Sequence, residues 1–297
     1  MDFHNYIRAV GTGPKSNREL SKEEMADCMN QILTQKASPE QIAAFLLGWR
    51  VRIESIEELQ TAYGVFDNYI KRVDIKNSIE LGYPYDGKAD NPYLFPLFGK
   101  YLKKFDLSIV VSGDYLQPAK HGITLKDVAT NIKLDDNIHY FDRKEYFKEL
   151  SNLTRVRNAL GLRTAFNTLE KLLNPANSKY AISAAFHEPY VKKNNELFAS
   201  NYENFVVVKG NEGTPEIFSK CRYWIKRDSK IIETPIEPEY FGITYKKSWD
   251  KITLQESLNF LNNPSKELEE LAKLNVALLL VTANKAKDIK EGFEMLS

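Results

Sequence analysis

The stretch LSIVVSG, residues 107–113, decides the fold class of this chain. It is a short, mostly apolar run that ends in glycine, which is typical of a buried β-strand. Two similar runs follow at YAISAAF (180–186) and NFVVVKG (204–210). The helical stretches predicted around these runs cover about 92–104, 143–150 and 189–202. Because strands that alternate with helices form a parallel sheet covered by those helices, we predict an α/β fold with a mainly parallel sheet.

The first 70 residues show a different, purely helical pattern. Ser21 followed by Glu24 is a capping-box pattern ahead of apolar residues at helical spacing. Ser38 and Pro39 are typical of the start of a second helix. The predicted helices cover about 22–35, 39–52 and 55–72. We therefore predict a small all-helical N-terminal domain over 1–70 and a larger α/β domain over 71–297.

The last third of the chain predicts a strand pair followed by helices. RYWIKRDSKIIETPI (222–236) is typical of two strands that turn near Asp228–Ser229. The tail after it is predicted to be helical, with a break near Asn263–Pro264. No internal repeat or low-complexity tract separates these parts.

The composition excludes several classes of protein. The 297 residues carry 41 basic and 40 acidic side chains, a formal net charge of +1, so no global field attracts nucleic acid. The two cysteines, Cys28 and Cys221, argue against a disulfide framework or a thiolate metal site. The longest apolar run, 276–283, is too short to span a bilayer, and the N-terminus lacks a signal-peptide pattern. We predict a cytoplasmic protein that does not enter a membrane.

The segment VRNALGLRTAFNTLEKLLNPA (156–176) resembles a segment of the anthranilate phosphoribosyltransferase family. Three weaker stretches agree with it, at 20–59, 205–217 and 236–243. The residues that fall in step with the family pattern in the first segment are Arg157, Leu160, Gly161, Arg163, Thr164, Phe166, Asn167, Asn174 and Pro175.

The resemblance implies a nucleoside phosphorylase/phosphoribosyltransferase fold with its site in the cleft between a helical and an α/β domain. It also implies that part of 150–180 rejoins the helical domain, and that the chain forms a homodimer through that domain. Members transfer ribose 5-phosphate from phosphoribosyl pyrophosphate to an aromatic amine.

The family's glycine-rich phosphate loop corresponds to GYPYDGK, residues 82–88. Gly82, Asp86 and Gly87 are retained, but Tyr83, Pro84 and Tyr85 replace small residues. Proline removes one N–H donor and the tyrosines obstruct close approach of a phosphate to the backbone. This loop is a poor pyrophosphate cradle.

Other parts of the implied phosphoribosyl machinery are also replaced. The small hydroxyl residues of a helix start become Tyr93, Phe95 and Pro96, and a Lys-His-Gly-Asn motif becomes 111–114, which ends in Gly113 and Asp114. The family's later Gly-Pro-Leu becomes Glu170, Lys171 and Leu172. Tryptophan biosynthesis is therefore not the expected activity.

The implied magnesium site keeps one carboxylate of an Asp-Glu pair. Pro215 and Glu216 stand at those positions, and Glu212 is a second candidate nearby. Because magnesium is held by one or two carboxylates together with substrate phosphates, the sequence does not exclude a magnesium site at these residues. No organic cofactor is expected.

The candidate ligand-binding residues come from three loops and the resembling segment. Lys120 and His121 come directly after the strand and loop at 107–116, where residues of the cleft are expected. Arg157 corresponds to the family's contact with the aromatic acceptor, whereas Arg163 and Asn167 also have a purely structural interpretation. The candidate set is Tyr83, Tyr85, Asp86, Gly87, Lys88, Gly113, Asp114, Lys120, His121, Arg157, Arg163 and Asn167.

Two functions stay open at this point. The first is glycosyl or phosphoribosyl transfer to or from a nucleoside-like, phosphorylated or aromatic ligand in the cleft, if catalysis persists. The second is a non-catalytic dimer that binds single-stranded nucleic acid, as in a branch of the family that lacks the glycine-rich loop. Basic clusters next to aromatic residues, at 100–104, 190–193 and 245–247, favour the second.

Overall fold

The computed structural model describes residues 1–227 and 230–296. The turn predicted near Asp228–Ser229 lies outside these residues. The helices of the first part are α1 (Phe3–Gly11), α2 (Lys22–Leu33), α3 (Pro39–Arg52) and α4 (Ile56–Asp67). Those that follow are α5 (Gly99–Leu102), α6 (Leu125–Ala129), α7 (Arg143–Tyr146), α8 (Lys148–Ser151), α9 (Thr154–Leu160), α10 (Phe166–Leu169), α11 (Glu188–Phe198), α12 (Leu254–Asn262), α13 (Lys266–Thr282) and α14 (Ile289–Glu294).

The strands form one mixed sheet with the order β3-β2-β1-β4-β5-β6-β7. Its members are β1 (Ser78–Gly82), β2 (Ser108–Gly113), β3 (Ile138–Asp142), β4 (Tyr180–Ala184), β5 (Asn204–Val208), β6 (Cys221–Arg227) and β7 (Lys230–Ile236). The first five pair in parallel, and the last two add antiparallel strands. This confirms the α/β fold with a small helical N-terminal part and a mainly parallel sheet.

Local sequence explains where the N-terminal helices begin. The hydroxyls of Ser21, Ser38 and Ser55 each accept a hydrogen bond from the backbone N–H three residues later, and the side chain there returns the bond. Such reciprocal pairs satisfy two N–H groups that a helix leaves without intrahelical partners. The three helices therefore start where the capping patterns of the sequence predict.

Two hydrophobic cores lie on the two faces of the sheet. One contains Ile79, Ile109 and Val206 of the strands together with α13. The other joins the N-terminal helices to residues after β3, where Phe66 stacks edge-on against Phe147 and Phe166 at 5.4 and 5.3 Å. The two faces are thus covered by different parts of the chain. The domain boundary at residue 70 stays a prediction.

Several predicted elements are shorter or more broken than expected. The helix predicted over 55–72 ends at Asp67, and the one over 92–104 is a series of short turns around Gly99–Leu102. In that segment Pro96, which has no backbone N–H, lies in a 3₁₀ turn over Phe95–Leu97, and α5 begins only at Gly99. The break predicted near Asn263–Pro264 is confirmed, since it separates α12 from α13.

Within residues 1–227 and 230–296, none of the helices combines the length and apolar character that a membrane crossing requires.

Candidate functional site

The candidate site lies at the carboxyl ends of β1 and β4. The chain leaves β1 toward β2 and β3 on one side and then returns to β4 on the other side. In open α/β sheets, ligands bind in the crevice at such a reversal of strand order. The loops that follow the parallel strands supply most of the predicted site residues to this edge.

Aromatic rings fill the floor of the crevice. Tyr83 lies 5.5 Å from Tyr93 and 6.0 Å from Phe95, measured between ring centroids, and all three rings are fully buried. Tyr85 is also buried, with the Arg143 guanidinium 4.3 Å from its ring centroid. These rings occupy the space next to the loop backbone where a phosphate would need access, so the tyrosines belong to the core.

A buried ion pair closes the centre of the crevice. The Lys88 ammonium donates to Glu216 and, at 2.8 Å, to the carbonyl of Pro92. The other oxygen of Glu216 accepts from the Tyr83 hydroxyl at 2.7 Å and from the backbone N–H of Leu94 at 2.5 Å. Because both charged groups are fully buried and hydrogen-bonded, the pair joins three loops across the end of the sheet.

Glu212 and Glu216, the predicted magnesium ligands, are both engaged by internal donors. Glu212 accepts the backbone N–H groups of Ala89, Asp90 and Asn91 at 2.7, 3.0 and 3.3 Å. In the described residues no three His, Cys, Asp or Glu side chains form a group that could hold a metal. Every carboxylate oxygen of the two residues already has a protein donor, and Lys88 supplies the positive charge. The residues present do not fit a magnesium ion, and we derive no step through one.

Asp114 and Arg157 lie in a second buried network. Arg143 pairs with Asp114 through Nε at 2.6 Å and also with Glu170. Arg157 pairs with both oxygens of Glu170, at 2.6 and 2.8 Å. Two cations and two carboxylates balance here, so the guanidinium of Arg157 has no charge left for an acceptor molecule.

Asn167 and the two predicted glycines have structural roles. The Asn167 amide donates to the carbonyl of Pro118 at 2.8 Å and accepts from the Thr164 N–H at 3.0 Å. Gly87 has φ +82°, and a Cβ at Gly113 would lie 2.9 Å from the Tyr140 ring. These contacts hold the loops in place and leave no group directed at a ligand.

Three cations remain at the mouth of the crevice. Arg163, 45% exposed, pairs with the buried Asp86. Lys120 donates to the carbonyl of Glu212, and Lys171 donates to the carbonyl of Ala184 at 3.3 Å. Burial, together with the positive charges of Arg163 and Lys120, lowers the pKa of the Lys171 ammonium to about 8. Lys171 was not among the predicted site residues.

An exposed aromatic residue lies two positions after Ala184, the last residue of β4, whose carbonyl accepts from Lys171. Phe186 is 62% exposed, and the Lys209 ammonium lies 5.3 Å from its ring centroid. His187 contacts the same ring edge-on at 4.9 Å. In the described part of the chain, Lys171 and Lys209 form no ion pair with a carboxylate. We call Lys120, Arg163, Lys171, Phe186 and Lys209 the rim.

Sequence reasoning missed Lys171, Phe186 and Lys209. Their signal was positional: Phe186 and Lys209 lie at or next to the last residue of two predicted strands, 180–186 and 204–210, and Lys120 and His121 follow the loop after a third. His121 is exposed, and no contact of its side chain joins it to the rim.

The basic clusters predicted as a nucleic-acid surface are largely neutralised. Lys100 pairs with Glu269, and Lys103 with Asp136. Lys192, Lys193 and Lys247 also have carboxylate partners, at 3.4 to 3.7 Å. The rim is the more cationic surface.

Two family models match most of the chain. The helical bundle domain of the glycosyl transferase family matches residues 4–67, and the α/β domain of the same family matches residues 110–297. The chain belongs to the anthranilate phosphoribosyltransferase-like glycosyl transferase family. The resemblance predicted from 156–176 is thereby confirmed.

Individual relatives extend over nearly the whole chain. An uncharacterized protein of Aquifex aeolicus is 31% identical, with 93% of this chain and 91% of that protein covered. An anthranilate phosphoribosyltransferase of Neisseria meningitidis is 28% identical, with 93% and 86% covered. The structure of the Saccharomyces cerevisiae anthranilate phosphoribosyltransferase with phosphoribosyl pyrophosphate and magnesium has a TM-score of 0.79 at 16% identity, covering 99% and 92%, which shows the shared fold.

Proposed function

We propose that this protein binds single-stranded nucleic acid along the rim and does not catalyse phosphoribosyl transfer. The observation that carries the proposal is the contact of the exposed Phe186 ring with the Lys209 ammonium, which lacks a carboxylate partner among the described residues. Proteins that bind single strands combine aromatic platforms, on which bases stack, with cations that follow the phosphates.

The closed crevice supports binding at the surface over chemistry inside. The rings of Tyr83, Tyr93 and Phe95 and the pair of Lys88 with Glu216 occupy the floor. A donor such as phosphoribosyl pyrophosphate would have to displace these buried groups. A strand that lies along the rim displaces none of them.

A homodimer is part of the proposal. Leu47 and Val51 lie one helical turn apart on α3 and are exposed, as is Leu162 just after α9, which packs against α3. A shared apolar face on these helices would bring two rims into one particle. Two linked sites raise the overall affinity for a strand long enough to reach both.

The experiment is fluorescence anisotropy of a labelled single-stranded oligonucleotide at several salt concentrations. We expect the logarithm of the binding constant to fall linearly with the logarithm of the salt concentration. The slope should be about −0.7 for each phosphate contact. Phe186→Ala should lose about 1–3 kcal/mol of binding free energy, the usual contribution of one stacked base. No binding at low salt would contradict the proposal.

A matched control uses a second lysine–phenylalanine contact of the same dimensions. The Lys104 ammonium also lies 5.3 Å from a phenylalanine centroid, that of Phe105, but before β2 at the opposite edge of the sheet. Lys209→Ala should weaken oligonucleotide binding, whereas Lys104→Ala should not. Equal losses would mean that binding is not located at the rim.

The alternative is retained transfer of a phosphoribosyl group in the crevice, and membership of the family favours it. If this alternative holds, phosphoribosyl pyrophosphate with magnesium binds the native state and raises the free energy of unfolding, and tighter binding gives a larger rise. We expect no rise in melting temperature at millimolar concentrations of both. A clear rise would favour the enzyme over the binding protein.

A further inference from the structure

We propose that Lys120, Arg163 and Lys171 form a site for the terminal phosphate monoester of a nucleic-acid strand. This inference rests on the proposed function for the strand itself. The site gives the rim a preference for the phosphorylated end of a strand. Base stacking and contacts along the backbone do not provide such a preference.

The three cations come from separate segments of the chain: Lys120 follows β2, Arg163 precedes α10 and Lys171 follows α10. These segments meet where the Asn167 amide of α10 donates to the carbonyl of Pro118 at 2.8 Å, two residues before Lys120. Among the described residues, the one hydrogen-bond acceptor of the Lys171 ammonium is the carbonyl of Ala184, at 3.3 Å. The ammonium therefore retains donors for a bound anion.

The charge balance favours a dianion. Arg163 is paired with Asp86, whereas Lys120 and Lys171 have no carboxylate ion pair among the described residues, which leaves two unpaired positive charges. Glu170 also lies near Lys171, but the two buried arginines beside it balance it together with Asp114. A phosphate monoester carries about −1.5 to −2 charges at pH 7, whereas each diester along a strand carries one. The monoester matches the excess.

The shape of the crevice also favours a strand end. The floor is closed by Tyr83, Tyr93 and the Lys88–Glu216 pair, so a strand cannot pass through it. A group that enters from the mouth must therefore be terminal. Ser183, beside Ala184 at the end of β4, has a buried hydroxyl without a partner among the described residues, which adds an unused polar group near this position.

The protonation of Lys171 links the site to pH. The charged groups that act on it are Arg163 and Lys120, which lower its pKa, and Asp86 and Glu170, which raise it. A bound dianion favours the charged ammonium, so binding is strongest where Lys171 is protonated. The preference for a phosphorylated end should therefore fall between pH 7 and pH 9.

The experiment compares oligonucleotides of one sequence that carry a 5′-phosphate, a 3′-phosphate or neither. We expect one phosphorylated form to bind at least about tenfold more tightly than the unphosphorylated form at pH 7 and low salt, a difference of about 1.4 kcal/mol. Lys171→Gln should abolish the difference, and it should weaken binding of the phosphorylated strand more than binding of the unphosphorylated strand. Lys171→Arg should retain the difference at both pH 7 and pH 9, because the guanidinium stays charged. Lys192→Gln, an exposed lysine paired with Glu196, is the control and should change neither.

A second arm separates this site from strand binding. Inorganic phosphate or adenosine monophosphate should raise the melting temperature of the protein, and Lys171→Gln should remove that rise. If no oligonucleotide binds but this rise occurs, the proposed function fails and the phosphate site stands, with a free phosphate compound as its ligand. Equal binding of the three oligonucleotides, or no rise with either phosphate compound, overturns the site.

Discussion

At the residue scale, the crevice is defined by charged side chains that find partners inside the protein. Lys88 and Glu216 neutralise each other in a fully buried position, and Arg157 is held by Glu170. A buried charge that loses its partner is far more costly than an exposed one, since no water replaces the lost contact. Residues that resemble ligand contacts in the sequence are therefore supports of the fold.

Mutating one partner of the Lys88–Glu216 pair should destabilise the protein strongly, and mutating both partners should destabilise it less. Lys88→Met should lower the free energy of unfolding by about 3–5 kcal/mol, because it leaves the Glu216 carboxylate buried and unpaired. Adding Glu216→Gln to that variant should restore about 1–3 kcal/mol. Urea unfolding of the two variants measures both effects. Lys103→Met, which breaks an exposed pair with Asp136, is the control and should change stability little.

Glu80 predicts how stability depends on pH. Burial raises the pKa of this β1 carboxyl from its ordinary 4.5 to about 7. The folded state then holds a proton that the unfolded state releases. The contribution of Glu80 to the free energy of unfolding is therefore greatest below about pH 4.5 and is lost as the pH rises through about 7. Relative to Glu80→Gln, the wild type should gain about 2–3 kcal/mol between pH 8 and pH 5 in urea unfolding. A pH-independent difference between the two proteins would contradict this assignment.

At the scale of elements, the loop after β1 determines what the crevice can hold. Its two tyrosines and Pro84 replace residues that would let a phosphate approach the backbone, and both rings are buried. These positions therefore fill space instead of exposing backbone N–H groups. This loop is the reason that we propose the rim as the ligand surface.

We expect that a smaller residue at position 83 does not by itself give the loop a phosphate-binding site. Tyr83→Thr should cost about 3–5 kcal/mol in urea unfolding, because it leaves a cavity in the core. Tyr83→Phe, which removes only the hydroxyl bonded to Glu216, should cost about 1–3 kcal/mol. We expect no stabilisation of either variant by phosphoribosyl pyrophosphate with magnesium. A rise in melting temperature for Tyr83→Thr would mean that the ring alone closes the crevice.

At the scale of the whole molecule, the exposed apolar residues on α3 form the face that we propose for a dimer. Val51 is 74% exposed and Leu47 lies one turn before it. A charge placed in an apolar interface is desolvated without a partner, so it opposes association.

The expected dimer is therefore tested by Val51→Glu. This variant should shift the particle from dimer to monomer in light scattering after size-exclusion chromatography, and its affinity for long oligonucleotides should fall more than for short ones. Val73→Glu, at another exposed valine, is the control and should leave the mass unchanged. A wild-type monomer at all concentrations would contradict the dimer.

Much of the fold followed from patterns that act over short distances. Capping residues at Ser21, Ser38 and Ser55 and the apolar runs that became β2, β4 and β5 depend on neighbours in the chain. The sequence therefore determined the helical first part, the mainly parallel sheet and, through the residues at 156–176, the family. The sequence placed Arg157 and Asn167 among the ligand candidates, but their partners, Glu170 and the carbonyl of Pro118, could not be read from it.

Only the tertiary structure decided which side chains face one another in the crevice. Lys88 pairs with a residue 128 positions away and Arg163 with one 77 positions away. Parallel strands bring the loops at their carboxyl ends together from distant parts of the chain, and no local pattern records those pairings. The same geometry left Lys171 and Phe186 at the mouth, where charge and an exposed ring remain available to a ligand.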